Sequence, residues 1–225
     1  KASKAGVKGL NKKVLKTVGR NQARAIRAHK LKNTKSPDYF WFDCRVKHRR
    51  TEQEYTTNIP MLLPLDVLEM SWDFGAKEVL LSDDNLDTAG KKHMAWMKEQ
   101  LQVDELMAWG MHGDGVPCNY DRTESVVMIS LNLPGLSGRN GRMRIPLVIL
   151  PDHAMSGHTF DDIMTVIAWS MRHLVAGSRP CCRHDGTAWA KSDAKRRKKD
   201  NDPLPFRACM VQARADWDWL GKCFH

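Results

Sequence analysis

The chain has 225 residues, 42% of them apolar, with 36 Lys/Arg against 26 Asp/Glu for a formal charge of +10. A chain of this length hides roughly 70% of its unfolded surface, enough for one or two domains with a real core, so global disorder is excluded. No run approaches the ~18 consecutive apolar residues of a membrane helix. The six cysteines, Cys44, Cys118, Cys181, Cys182, Cys209 and Cys223, have no regular spacing and no Cys-x-x-Cys, which points to reduced thiols and an intracellular protein. The chain opens on Lys1-Ala2-Ser3-Lys4, without an initiator Met or an apolar signal, and closes on Lys222-Cys223-Phe224-His225 without a helix stop. The expectation is a piece of a longer protein.

The charge is unevenly distributed. Residues 1–50 hold 16 Lys/Arg against Asp38 and Asp43, for +14, and the remainder carries −4. Residues 1–36 read as a basic arm, with Lys12, Lys13, Lys16, Arg20, Arg24 and Arg27 as candidate phosphate contacts. Val7, Leu10, Val14, Leu15 and Val18 recur at spacings near three and four, a weak amphipathic pattern that Gly6, Gly9 and Gly19 oppose. A helix there would form on a partner.

Residues 37–105 read as a small connecting α+β layer. Tyr39-Phe40-Trp41-Phe42 and Tyr55-Thr56-Thr57 are β-prone, and Lys47-His48-Arg49-Arg50 between them suits a hairpin loop. Leu62 to Trp72 reads as a helix with Pro60 and Pro64 near its start. A second helix is predicted over 88–101, with Thr88 as its cap and Met94, Met97 and Leu101 on one face.

Residues 106–225 carry a clearer order. An apolar run from Leu106 to Met111 ends in His112-Gly113-Asp114-Gly115, Val126 to Leu131 is a second strand, and Arg144 to Leu150 is a third. Pro146 makes the third an edge or bulged strand. The period then changes: Ile163, Val166, Ile167, Met171, Leu174 and Val175 share a helical face, with Thr159 as cap, Asp161 and Asp162 in the first turn and Gly177 after the end. A long polar insertion fills 178–205, Phe206 to Ala213 gives one more strand, and Asp216 opens a final helix.

The resulting order, β-β-β-α-β-α, is that of an α/β ribonuclease H-like core. In that arrangement the fourth strand lies beside the first, so that carboxylates far apart in sequence converge. Here Asp114 ends the first strand candidate and Asp216 the last. Converging carboxylates supply hard oxygen ligands for a divalent ion, Mg or Mn, which activates a nucleophile against a phosphodiester. Two other readings stand beside this one: Gly113-Asp114-Gly115 is also ordinary turn chemistry, and Asp216 also suits a helix cap.

The run Met111-His112-Gly113-Asp114-Gly115-Val116-Pro117-Cys118 resembles a signature in a family of transposon-derived proteins from algal protists, and Ala213-Arg214-Ala215-Asp216-Trp217-Asp218-Trp219 resembles that family's second block. That family is similar to the CACTA-type cut-and-paste transposases, which carry an Asp-Asp-Glu triad on a ribonuclease H-like core. The resemblance implies metal-dependent DNA strand cleavage and transfer. Asp114 would be the first catalytic metal ligand and Asp216 the second, with Asp218 as the competing choice. The third acid of such a triad lies on a later helix, before which this chain stops. A remnant without activity, a non-catalytic nucleic-acid-binding protein and a scaffold binding RNA or acidic protein therefore stay open.

Three further features lie outside these motifs. Lys195-Arg196-Arg197-Lys198-Lys199 suits phosphate, nuclear import or a solvated loop alike. Cys181-Cys182-Arg183-His184 lacks the second ligand pair of a structural zinc site. The eight tryptophans read as packing residues, with Trp189 beside the basic run as the one candidate for base stacking.

Overall fold

The computed structural model describes residues 38–73, 77–117, 124–136 and 144–215. All of them fall within one contact unit, residues 37–225. The basic arm, Cys118, Cys223, the expected closing helix, Asp216, Trp217, Asp218 and Trp219 lie outside the described residues.

The fold is mixed α/β. β1 (Phe40–Lys47) and β2 (Glu54–Met61) form an antiparallel hairpin. β1 alternates strictly: Phe40, Phe42, Cys44 and Val46 are buried, while Trp41 and Asp43 face outward. Next come α1 (Pro64–Asp73), the short α2 (Lys77–Leu81) and α3 (Thr88–Leu101). Asp87, not Thr88, caps α3, its Oδ1 accepting from the Gly90 N–H at 2.7 Å. Two adjacent cap-competent residues leave the sequence ambiguous by one position.

Strands β3 (Met107–Pro117), β4 (Ser125–Asn132), β5 (Arg144–Pro151) and β6 (Ala208–Arg214) build a four-stranded mixed sheet in the order β5-β4-β3-β6. β3–β4 and β4–β5 are antiparallel; β6 runs parallel to β3. β5 is an outer strand of that order, and its register shifts where Val148 and Pro146 oppose consecutive β4 residues, which fits proline's missing donor. The crossover from β5 to β6 contains α4 (Thr159–Ala176), which Gly177 ends at φ 72°. Thr159 begins this helix but does not cap it. Its hydroxyl accepts from the Ser156 N–H at 2.8 Å and donates to the Arg45 carbonyl at 2.6 Å, tying the helix start to β1.

The sheet is covered on both faces. Met107, Trp109 and Met111 of β3 join Ile129 and Leu131, α4, α1 and the inner face of the hairpin in the main core. Leu106 and Ala108, on the other face, meet Leu86, Met94 of α3 and Cys209 of β6. Burial pushes the Cys44 thiol up to about 12 and the Cys209 thiol up to about 11, so both stay protonated packing groups.

Residues 134–136 form a 3-10 turn against α2. A Cβ built on Gly135 would lie 2.0 Å from the Val79 carbonyl oxygen, a backbone atom that cannot swing away. Gly135→Ala is therefore expected to cost about 1–3 kcal/mol, the usual range for overpacking. The check is the denaturation midpoint; an unchanged midpoint would show that α2 moves freely.

Residues 178–205, a long polar insertion by sequence, are ordered together with Phe206. They form a strap whose ends are pinned together: Leu204 N–H donates to the Gly177 carbonyl at 2.8 Å and Arg179 N–H to the Asp202 carbonyl at 2.9 Å. Between these ends the chain buries Trp189 and Asp193. Trp189 packs on Trp169 and donates its indole N–H to Asp200, which removes it as a base-stacking candidate.

Candidate functional site

Asp114 is a strand residue. It pairs with Met128 across β3–β4, three residues before the end of β3, so the turn reading of Gly113-Asp114-Gly115 does not hold. By alternation it shares a sheet face with Ala108, Gly110 and His112, and cross-strand with Ser130 and Asn132. At the Ala108 end α3 covers this face. At the Asp114 end the carboxylate and Ile149 reach solvent.

β6 brings its C-terminal end to the same place. Arg214 stands opposite His112, two residues from Asp114 along β3. Close approach of the strands is helped by Gly110, where a Cβ would lie 3.2 Å from Cβ of Gln212. Opposite Gly110 on β4, Asn132 is buried with no hydrogen-bond partner for its Oδ1 among the described residues. His112 is a half-buried strand residue on this face, its carbonyl accepting from Ser130 Oγ at 3.4 Å.

The charged partner of Asp114 is Arg144 at the start of β5, with 3.8 Å between Nη1 and Oδ2. Both groups are partly exposed, so the pair adds little to stability. Its effect is local: a guanidinium beside the carboxylate lowers the net charge of the site. Nothing in the sequence points to Arg144, because the pair reaches diagonally across β4.

Among the described residues no group of three His, Cys, Asp or Glu is placed to hold a metal ion. One carboxylate facing a guanidinium does not by itself fit a divalent cation, which takes several oxygen ligands. Asp216 and Asp218 follow Arg214 in sequence, outside the described residues.

The basic run divides in two. Arg196 is drawn inside, bonded to Asp193 at 3.0 Å, to Asp66 and to the Asp38 carbonyl at 2.6 Å. Lys199 meets Glu69 at 2.6 Å, a carboxylate that Arg179 also holds at 2.8 Å. Burial alone would raise the Glu69 pKa, but these two cations outweigh it and keep the group below the usual range. Lys195 pairs with Asp38 at 2.9 Å yet stays solvent-facing, and Arg197 and Lys198 are exposed. The run thus leaves Lys195, Arg197 and Lys198 facing solvent, while Arg196 serves the fold.

His184 packs edge-on against Phe40 and Phe42, at 5.7 and 6.0 Å between ring centroids, and burial pushes its pKa down. Beside it Cys181 is exposed and Cys182 partly so.

No helix among the described residues is long and apolar enough to cross a membrane. Comparison with protein-family models, curated proteins and solved structures finds no significant match.

Proposed function

We infer that the chain carries a ribonuclease H-like core of a transposase-like protein or its remnant, acting on DNA phosphodiesters, with Asp114 as the first acid of the site. The observation that carries this reading is the sheet: three antiparallel strands, a crossover helix and a strand parallel to the first, in the order β5-β4-β3-β6, with Asp114 on the strand that β6 joins. The reading requires Asp216 or Asp218 to bring a second carboxylate to Asp114, and Mg or Mn to supply Lewis-acid chemistry there. The resemblance of the Met111–Cys118 and Ala213–Trp219 blocks to transposon-derived proteins supports the same assignment. The basic arm and the exposed part of the run at 195–199 would hold DNA through phosphate contacts.

A plasmid-nicking assay with Mg or Mn, beside an EDTA control and Asp114→Asn, tests it. Metal-dependent nicking is expected from the parent chain and is lost in the variant. Nicking that survives Asp114→Asn removes Asp114 from the site.

A second reading, non-catalytic nucleic-acid binding on the same fold, draws on the guanidinium at Asp114 and on the missing three-ligand group among the described residues. DNA binding in EDTA, without nicking under any metal, is its signature.

A further inference from the structure

The outer face of the hairpin has no part in the Asp114 site, yet its composition is unusual for solvated surface. Tyr39 is 58% exposed and Trp41 42% exposed, two of the few large apolar side chains the described residues leave in water. Trp41 projects from the outer side of β1, with Pro60 opposite it across the hairpin, and Tyr39 directly precedes the strand with the same parity. At one end of this strand stands Lys195, whose side chain is 78% exposed, with Arg197 and Lys198 close by in sequence. At the other end is the hairpin tip, where Arg50 is exposed, Lys47 is half-buried and Arg49 is paired with Glu124 at 2.8 Å.

Two acids lie on this face, Asp43 and Glu54; Glu54, opposite Lys47, meets His158 at 2.8 Å, and Asp43 keeps its charge two residues from Trp41. Asp38 is bound by Lys195, and Asp43 accepts from the Asn58 amide at 3.0 Å. The Trp41 backbone is itself fixed, since Arg183 donates to its carbonyl. The result is one exposed aromatic side chain on the strand and one just before it, with cations from two distant parts of the sequence at its ends. An eight-residue strand spans about 27 Å, room for about four or more nucleotides.

We propose that the outer face of the β1–β2 hairpin is a binding surface for single-stranded nucleic acid, with Tyr39 and Trp41 stacking unpaired bases and the flanking cations holding the backbone. Single strands are singled out because exposed aromatic rings gain from bases that are not already stacked in a duplex. The proposal shares its partner class with the phosphoryl-transfer reading but does not rest on Asp114.

The experiment is fluorescence anisotropy on the whole chain in EDTA at moderate salt, with labelled oligo-dT, the corresponding RNA strand, and a duplex as probes. Trp41→Ala is expected to weaken single-strand binding about tenfold, with a much smaller effect on the duplex. Trp41→Phe, which keeps a ring, retains most of the affinity. Lys47→Glu combined with Arg50→Glu weakens binding and flattens its salt dependence. These side chains lie on the surface, so circular dichroism should be unchanged. Wild-type single-strand affinity in both the Trp41→Ala and charge-reversed chains overturns the proposal, as does a parent chain that binds duplex alone or a Trp41→Phe chain as weak as Trp41→Ala. EDTA keeps the result separate from nicking, so either idea can fail without the other.

Discussion

Asp193→Ala is expected to destabilise the fold by about 3–5 kcal/mol, the range for removing one partner of a buried ion pair. The Asp193 side chain is fully buried, and its two oxygens serve two arginines: one accepts from Arg183, the other from Arg196 at 3.0 Å. Neither guanidinium is free to leave. Arg183 also donates to the Trp41 carbonyl, and Arg196 to Asp66 and to the Asp38 carbonyl. Without the carboxylate, two cations would stay desolvated in a site still held together by their other bonds. Asp193→Asn keeps one acceptor oxygen but loses the charge, and should fall between alanine and the parent. Urea denaturation followed by tryptophan fluorescence measures both. A loss below about 1 kcal/mol for the alanine variant would mean that water reaches the arginines and that the network is worth no more than a surface pair.

Phe40→Ala should cost a similar amount, about 3–5 kcal/mol, by a different route. Phe40 has no exposed surface, and its ring lies 5.6 Å from Trp169 of α4 by centroid. The Arg183 guanidinium sits over the same ring at 4.5 Å, a contact worth up to about 2 kcal/mol when desolvated. Truncation would open a cavity where hairpin, helix and strap meet. Because Arg183 touches both Phe40 and Asp193, the double variant should lose less than the sum of the two single losses. Strict additivity in the same denaturation experiment would argue that the ring and the ion pairs act independently.

The elements that came through from the sequence are those with a local signature. The i, i+3, i+4 pattern from Ile163 to Val175, closed by Gly177, is helix α4. The two β-prone runs around Lys47-His48-Arg49-Arg50 are the hairpin, and Pro146 does mark an outer strand. What was hidden depends on partners far along the chain. The strap at 178–206 is rich in Arg, Lys and Asp and reads as a solvated loop, because nothing nearby reveals that Asp66, Glu69 and two backbone carbonyls of residues 38 and 41 wait for its cations. Asp114 was legible as a residue of interest but not as mid-strand, since glycines on both sides imitate a turn. Arg144 was not legible at all. Thr159 looked like a cap by residue type, but its hydroxyl is committed to Arg45 and Ser156.

The strap's bonds to β1 also bear on how the chain reaches its folded state. Arg196 and Asp38 are 158 residues apart in sequence, and Arg183 and Trp41 are 142 apart. Loop-closure entropy must be met before such contacts return anything, so they belong to the late, non-local part of folding. Interactions absent from the transition state leave the folding rate alone and govern the escape rate from the native state. The clasp across Phe40 would then act as a kinetic lock: weakening Asp193 should raise the unfolding limb of the chevron and leave the folding limb in place. A slowed folding limb would instead make the clasp part of the nucleus.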